Sequence, residues 1–121
     1  MPRDPRLYLE EILESIKRIQ EYTVGMASEQ FLADRKTADA VVRNLEIIGE
    51  ASRALPDSFH TMAPEIEWRK IIGMRNVIAH AYFGVSLVVV WDIVVDKLPA
   101  LERATQKLLD HANAEPPSLT Q

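Results

Sequence analysis

Cysteine is absent from the 121 residues of this chain, which excludes disulfides, thiolate zinc sites and cysteine nucleophiles. A reducing, cytoplasmic compartment fits that composition. Glycine occurs four times and never in a phosphate-loop arrangement, so a nucleotide hydrolase built on such a loop is disfavoured. Positive charge is in deficit: 14 Lys and Arg stand against 18 Asp and Glu, a net −4 at pH 7. Domains that track phosphate over their whole surface are usually basic, so only a small local basic site is compatible with nucleic acid. No long apolar run occurs either. The most apolar stretch, Val85 to Val95, is broken by Asp92 and is far short of the ~20 residues that span a bilayer. The start, Met1-Pro2-Arg3-Asp4-Pro5-Arg6, lacks the apolar core of a signal peptide. These absences predict a cytoplasmic protein without membrane contact. His60, His80 and His111 are too far apart for a local metal motif, and neither His-x3-His nor Asp-x-Asp occurs. No serine lies in a nucleophile-elbow context.

What is present is helical spacing. Leu9, Ile12, Ile16, Ile19 and Thr23 step by three and four behind an Asp4 cap and Pro5, predicting a helix to about Val24 that Gly25 stops. Ser28 is placed to cap a short turn through Phe31, and Asp34 the next helix. That second long helix carries the stripe Ala38, Val41, Val42, Leu45, Ile48, Gly49, Ser52 and Leu55, and ends at Pro56. Asp57 to Glu65 reads as a polar connection, and a third long helix is expected from about Glu65 through Tyr82, with Gly84 ending it. The last segment is rich in β-branched residues, as a buried strand would be. However, Leu87, Trp91, Val94, Leu98, Leu101, Thr105 and Leu108 keep helical spacing, and nothing else in the chain alternates as a strand partner would. It is read as helix, kinked or restarted at Pro99. The expectation is an all-α, antiparallel four-helix bundle with short additional turns, one domain over 1–112 and a disordered tail over 113–121. Met26, Met62 and Met74 read as packing residues, and the charges from Glu10 to Arg18 as a solvated face with i,i+4 pairs.

The third helix is where chemistry interrupts the pattern. Its stripe runs Trp68, Ile71, Ile72, then Arg75, Ile78, Ala79 and Tyr82. An arginine within an apolar face is costly unless paired or placed in a cleft. One explanation is a buried ion pair with Asp39, Glu46 or Glu50 of the second helix; the other is a site. His80 lies five residues on, about 140° around an ideal helix, so the two side chains converge only if the helix loosens or a second copy completes the site. Asn76, four residues before His80, can orient the imidazole. Tyr82 also fits as a core residue with its hydroxyl at the surface.

Arg-x4-His alone is a weak signal. Met74-Arg75-Asn76-Val77-Ile78-Ala79-His80-Ala81-Tyr82, with Arg-x4-His-x-Tyr following Trp68-Arg69-Lys70-Ile71-Ile72-Gly73, resembles the HEPN-domain family in its HepT-like branch. Arg43-Asn44-Leu45-Glu46-Ile47-Ile48-Gly49-Glu50-Ala51 is similar to the family's second-helix signature, and Trp91 with Leu98-Pro99 to its last helix. The resemblance runs from about Asp4 to Asp110. It implies a homodimeric, metal- and cofactor-free endoribonuclease acting as the toxin of a toxin–antitoxin pair. Arg75 and His80 would be the catalytic pair and Asn76 a supporting polar group. The same resemblance implies a partner nucleotidyltransferase of the minimal type that silences the toxin by moving AMP to Tyr82. Glu46, Glu50 and Arg43 stand as candidate supports from the second helix, and Lys70, Arg69 and Arg43 as cationic neighbours of the cleft. Two alternatives remain: a non-catalytic module that binds a nucleotide or its partner transferase, and a structural bundle that dimerises through the third helix.

Overall fold

In the computed structural model of the chain, residues 3–74 and 87–114 are described. They build an all-α fold: α1 (Pro5–Thr23), α2 (Ser28–Ala33), α3 (Arg35–Ala54), α4 (Asp57–Met62), α5 (Trp68–Ile72), α6 (Leu87–Asp92), a π-helical turn (Ile93–Lys97) and α7 (Leu98–Ala114). The helix starts are chemically marked. Asp4 accepts from the Arg6 backbone N–H at 3.0 Å ahead of Pro5. Asp34 accepts from both the backbone N–H and the hydroxyl of Thr37, at 3.0 and 2.8 Å. Either carboxylate satisfies a donor that the helix itself leaves unpaired. Gly25 closes the α1 exit with φ +74°, a left-handed conformation that only glycine adopts without strain.

The expected stripes of α1 and α3 are buried. Leu9, Ile12, Ile16 and Ile19 of α1 are fully inaccessible, as are Ala38, Val41, Leu45 and Ile48 of α3 and Leu101 and Thr105 of α7. α1 packs against both α3 and α7, and α2 sits against α3 and α6, where the Phe31 and Trp91 rings meet at 5.0 Å with a 34° tilt. Large aliphatic side chains removed from water in this way contribute roughly 1.5–3 kcal/mol each, and they hold the bundle together. Among the described residues no helix is long and apolar enough to cross a membrane.

Several local expectations change. Ser28 is the first residue of α2, not its cap; Ala27 precedes it, and Gln30 Oε1 accepts from the Ala27 N–H at 2.7 Å. The connection after Pro56 contains a helix, α4, where a polar loop was expected. Its composition hid it, because no α4 residue is buried and so no apolar stripe marks it. The third long helix starts at Trp68 instead of Glu65, since Ile66 and Trp68 close tight turns onto Ala63 and Ile66. It also pauses at Gly73, and its expected course from Arg75 to Gly84 lies outside the described residues. Met62 is 45% exposed and is no core residue, whereas Met74 is buried.

The C-terminal segment is helical, as its spacing predicts, and its kink has a specific form. Proline has no N–H and its ring collides with the carbonyl four residues back. Upstream of Pro99 the ladder widens to a π turn in which the Leu98 N–H reaches Ile93 O. One extra residue in that turn absorbs the proline. It also shifts the register, so that Val90, outside the predicted stripe, is fully buried while Leu87, Trp91 and Val94 are only partly so. α7 takes in Asn113 and Ala114, which the sequence reading assigned to the tail.

Candidate active site

The four residues that carry the sequence motif, Arg75, Asn76, His80 and Tyr82, lie outside the described residues. The structure does define the platform from which they follow. Met74, the covalent neighbour of Arg75, is 3% exposed and part of the core. It is preceded by α5, which is fixed at both ends. At the start, the Trp68 indole N–H donates to Ala63 O at 3.0 Å, and its ring lies 4.9 Å from His60. The His60 Nε2 is in turn 2.8 Å from the Ser52 carbonyl of α3. That pairing requires the proton on Nε2, because a carbonyl only accepts. At the end of α5, α3 approaches through Gly49, where a Cβ would stand 3.3 Å from Ile71 O and 3.8 Å from Ile72 O. A side chain here would make a contact tighter than most Cβ atoms make, and glycine lets the two backbones meet without either giving way.

Sequence reasoning missed both clamps. Gly49 was legible as a member of the α3 stripe, yet its contact with a backbone carbonyl was not. His60 carries no distinguishing spacing at all. The Ser52 side chain is fully buried, with its hydroxyl lacking a hydrogen-bond partner among the described residues.

Of the carboxylates nominated on α3, Asp39 and Glu50 are exposed and Glu46 is half-buried. Glu46 pairs with Arg43 at 3.6 Å, Glu50 with Arg53 at 3.7 Å and Asp39 with Arg35 at 3.4 Å. Arg43, Glu46 and Glu50 do come together: with Glu11 and Ile47 they line a depression of about 420 Å³ between α1 and α3. Lys70 faces elsewhere. It lines a cleft of about 460 Å³ bounded on one side by Ile71 and Met74 and on the other by Ile93, Asp96 and Leu101. The nominated cations Arg43 and Lys70 therefore line two different depressions.

Glu67 ties the rim of the larger cleft, 2.9 Å from Lys70 Nζ and 3.6 Å from Lys97 Nζ of the π turn. The hydrogen bond from Lys70, with both ammonium charges, holds its carboxyl below the usual carboxylate range. Among the described residues no three His, Asp or Glu side chains gather in a metal-holding arrangement.

Residues 12–108 match the family described as ribonuclease HepT-like. A Thermococcus cleftensis protein named "Probable ribonuclease HepT" is 46% identical over 108 residues, covering 89% of this chain and 98% of that protein. "Putative RNase MJ0127" of Methanocaldococcus jannaschii is 42% identical over 82% of this chain and 83% of its own length. A Caldanaerobacter subterraneus protein, "Putative RNase TTE0752", is 37% identical over 88% and 96%. No solved structure matches. The family match takes in α3, both clamps, the platform and the whole Arg75-to-Tyr82 motif, and the chain belongs to the HepT-like ribonuclease family.

Proposed function

We propose that this chain is a metal-independent RNA endonuclease and the toxin of a toxin–antitoxin pair, with Arg75 and His80 as its catalytic residues. The observation that carries the reading is the family match over residues 12–108, which encloses the intact Arg75-x4-His80-x-Tyr82 motif. The chemistry needs no metal. RNA carries its own nucleophile, and His80 is suited to take the 2′-hydroxyl proton or to protonate the 5′-oxygen as it leaves. The Arg75 guanidinium offers two parallel N–H donors to the scissile phosphate and offsets the charge that builds in the transition state. The bond from phosphorus to the 5′-oxygen breaks as the bond to the 2′-oxygen forms, leaving a 2′,3′-cyclic phosphate and a 5′-hydroxyl. A homodimer supplies two histidines, which divide the acid and base roles. Asn76 orients the imidazole, and Glu46, Glu50 and Arg43 support the site from α3.

Silencing is assigned to a partner nucleotidyltransferase of the minimal type that transfers AMP from ATP to the Tyr82 hydroxyl, which loses its proton as the α-phosphorus bond to pyrophosphate breaks. Added phosphate beside Arg75 occupies the place of the RNA phosphate. The test is cleavage of a defined RNA in EDTA by wild type, Arg75→Ala and His80→Ala. Activity in the wild type alone is expected; activity that survives His80→Ala removes the mechanism. Intact mass after co-expression with the partner reads the modification: AMP-sized additions on Tyr82 support it, and suppressed toxicity without added mass refutes it.

A further inference from the structure

We propose that the groove between α5 and the π-helical turn docks an amphipathic helix of a partner protein, one whose apolar ridge is flanked by Lys or Arg. The inference stands on the described residues alone and does not depend on the nuclease reading.

Geometry is the first support. α5 packs on α3, whereas α7 packs on α1 and continues the π turn, and the groove separates these two walls. One wall carries Glu67, Lys70, Ile71 and Met74, the other Ile93, Asp96, Lys97 and Ala100. Each set steps by three, four and seven residues, the spacing of one helical face. Seven steps of a helix make about 10 Å, or two turns. Ile66 and Leu101 complete the apolar part of the lining, and the groove holds about 460 Å³. Ile93 and Ala100 are only half-buried, so a partner has apolar surface to cover. An apolar groove between two helical rows suits a third helix that inserts side chains at i, i+3 or i+4, and i+7.

Charge names the occupant. Three carboxylates, Glu65, Glu67 and Asp96, lie on the rim with two ammonium groups, Lys70 and Lys97. Glu67 engages both ammoniums, and its pair with Lys97 joins the two walls. Glu65 and Asp96 are exposed and make no ion pair among the described residues. The rim therefore offers two unmatched negative charges beside an apolar floor. A phosphate backbone is repelled by them. A second copy docked about a two-fold axis would set this same patch against itself, acid against acid. A helix with basic flanks satisfies both the floor and the rim.

The test uses the full chain, with methyl signals of Ile71, Met74 and Ile93 read by NMR, and two synthetic probe helices. Both probes carry Leu at i, i+4 and i+7 on an Ala background; one is flanked by Lys and the other by Glu. The Lys-flanked probe is expected to shift all three residues and to bind about tenfold tighter, the scale of two exposed charge contacts. That margin should shrink in high salt. It should also fall to near unity in a Glu65→Gln, Asp96→Asn double variant whose Tm matches wild type. Ala100→Arg, which fills the groove, should abolish binding of both probes and keeps the test decisive if the double variant does not fold. No shift at millimolar probe, equal affinity for the two probes, or a preference that survives the double variant overturns the proposal. Unchanged binding of a Lys-flanked probe with Ser in place of Leu overturns it too. Displacement of the probe by a short RNA gives the groove to nucleic acid, and shifts that follow protein concentration without probe give it to a second copy. Either result overturns the proposal.

Discussion

Gly49→Ala adds one methyl group at the tightest place in the platform. The new Cβ would stand 3.3 Å from Ile71 O and 3.8 Å from Ile72 O. A backbone carbonyl cannot swing aside as a side-chain tip can, so α5 must give by a few tenths of an ångström. Two effects oppose each other. Alanine in a helix interior is favoured over glycine by ~1 kcal/mol, while overpacking a tight contact costs about 1–3 kcal/mol. The net expectation is a loss of roughly 1 kcal/mol, or about 4 °C in Tm for a domain of this size. Displacement of α5 also moves the chain that leads into Arg75. Misplacement by 1 Å can cost about a hundredfold in rate, so a shift of tenths predicts a severalfold lower kcat with little change in KM. Urea unfolding and RNA cleavage read the two consequences. A variant more stable than wild type by the full helix-propensity gain, with unchanged kcat, would refute the close approach and its role in positioning.

Other expectations follow from single contacts. Trp68→Phe keeps the ring but removes the donor to the buried Ala63 carbonyl; the expected loss is about 1–3 kcal/mol by urea unfolding, and a neutral result would remove that bond from the account. Gly25→Ala meets no atom within 4 Å but must hold φ +74°, so it should destabilise by roughly 1 kcal/mol through backbone strain alone. Stability should also fall in acid. The Asp34 carboxyl sits below its ordinary 3.8 because the Thr37 backbone N–H and hydroxyl both donate to it. Asp4 is lowered by its bonds from the side chain and backbone of Arg6, and Glu67 by Lys70. Each binds a proton more readily unfolded than folded, so its contribution is present above the unfolded pKa and disappears as pH falls through the lowered folded value. Asp34→Asn should flatten that acid limb in urea titrations. An unchanged limb would show that the cap does not carry it.

The long helices were legible because burial writes a period into sequence. Every residue named in the stripes of α1 and α3 is buried, although Ser15, Asn44 and Ala51 are buried beside them without belonging to either stripe, and the Asp4 and Asp34 caps were visible as side-chain chemistry at the right offset. α4 was not, since a six-residue helix with no buried side chain leaves no stripe. The π turn was signalled only indirectly: Pro99 announced a disturbance, but whether a helix kinks, restarts or widens depends on tertiary packing. Of the candidate site, the motif itself was plain from Arg75 to Tyr82. The clamps on α5 were hidden because Gly49 and His60 act on backbone carbonyls, and a carbonyl has no letter in the sequence. The pairing of Glu46 and Glu50 with nearby arginines on their own helix likewise follows from i,i+3 spacing.

The most direct test of the nuclease account is end-group analysis of a single cut in EDTA. A short RNA with one preferred site is compared with the same RNA carrying a 2′-deoxy nucleotide immediately 5′ of the scissile phosphate. Attack by the 2′-hydroxyl predicts a 2′,3′-cyclic phosphate and a 5′-hydroxyl from the first substrate and no cut in the second. Cleavage of the deoxy-substituted RNA, or products bearing a 5′-phosphate, would contradict it.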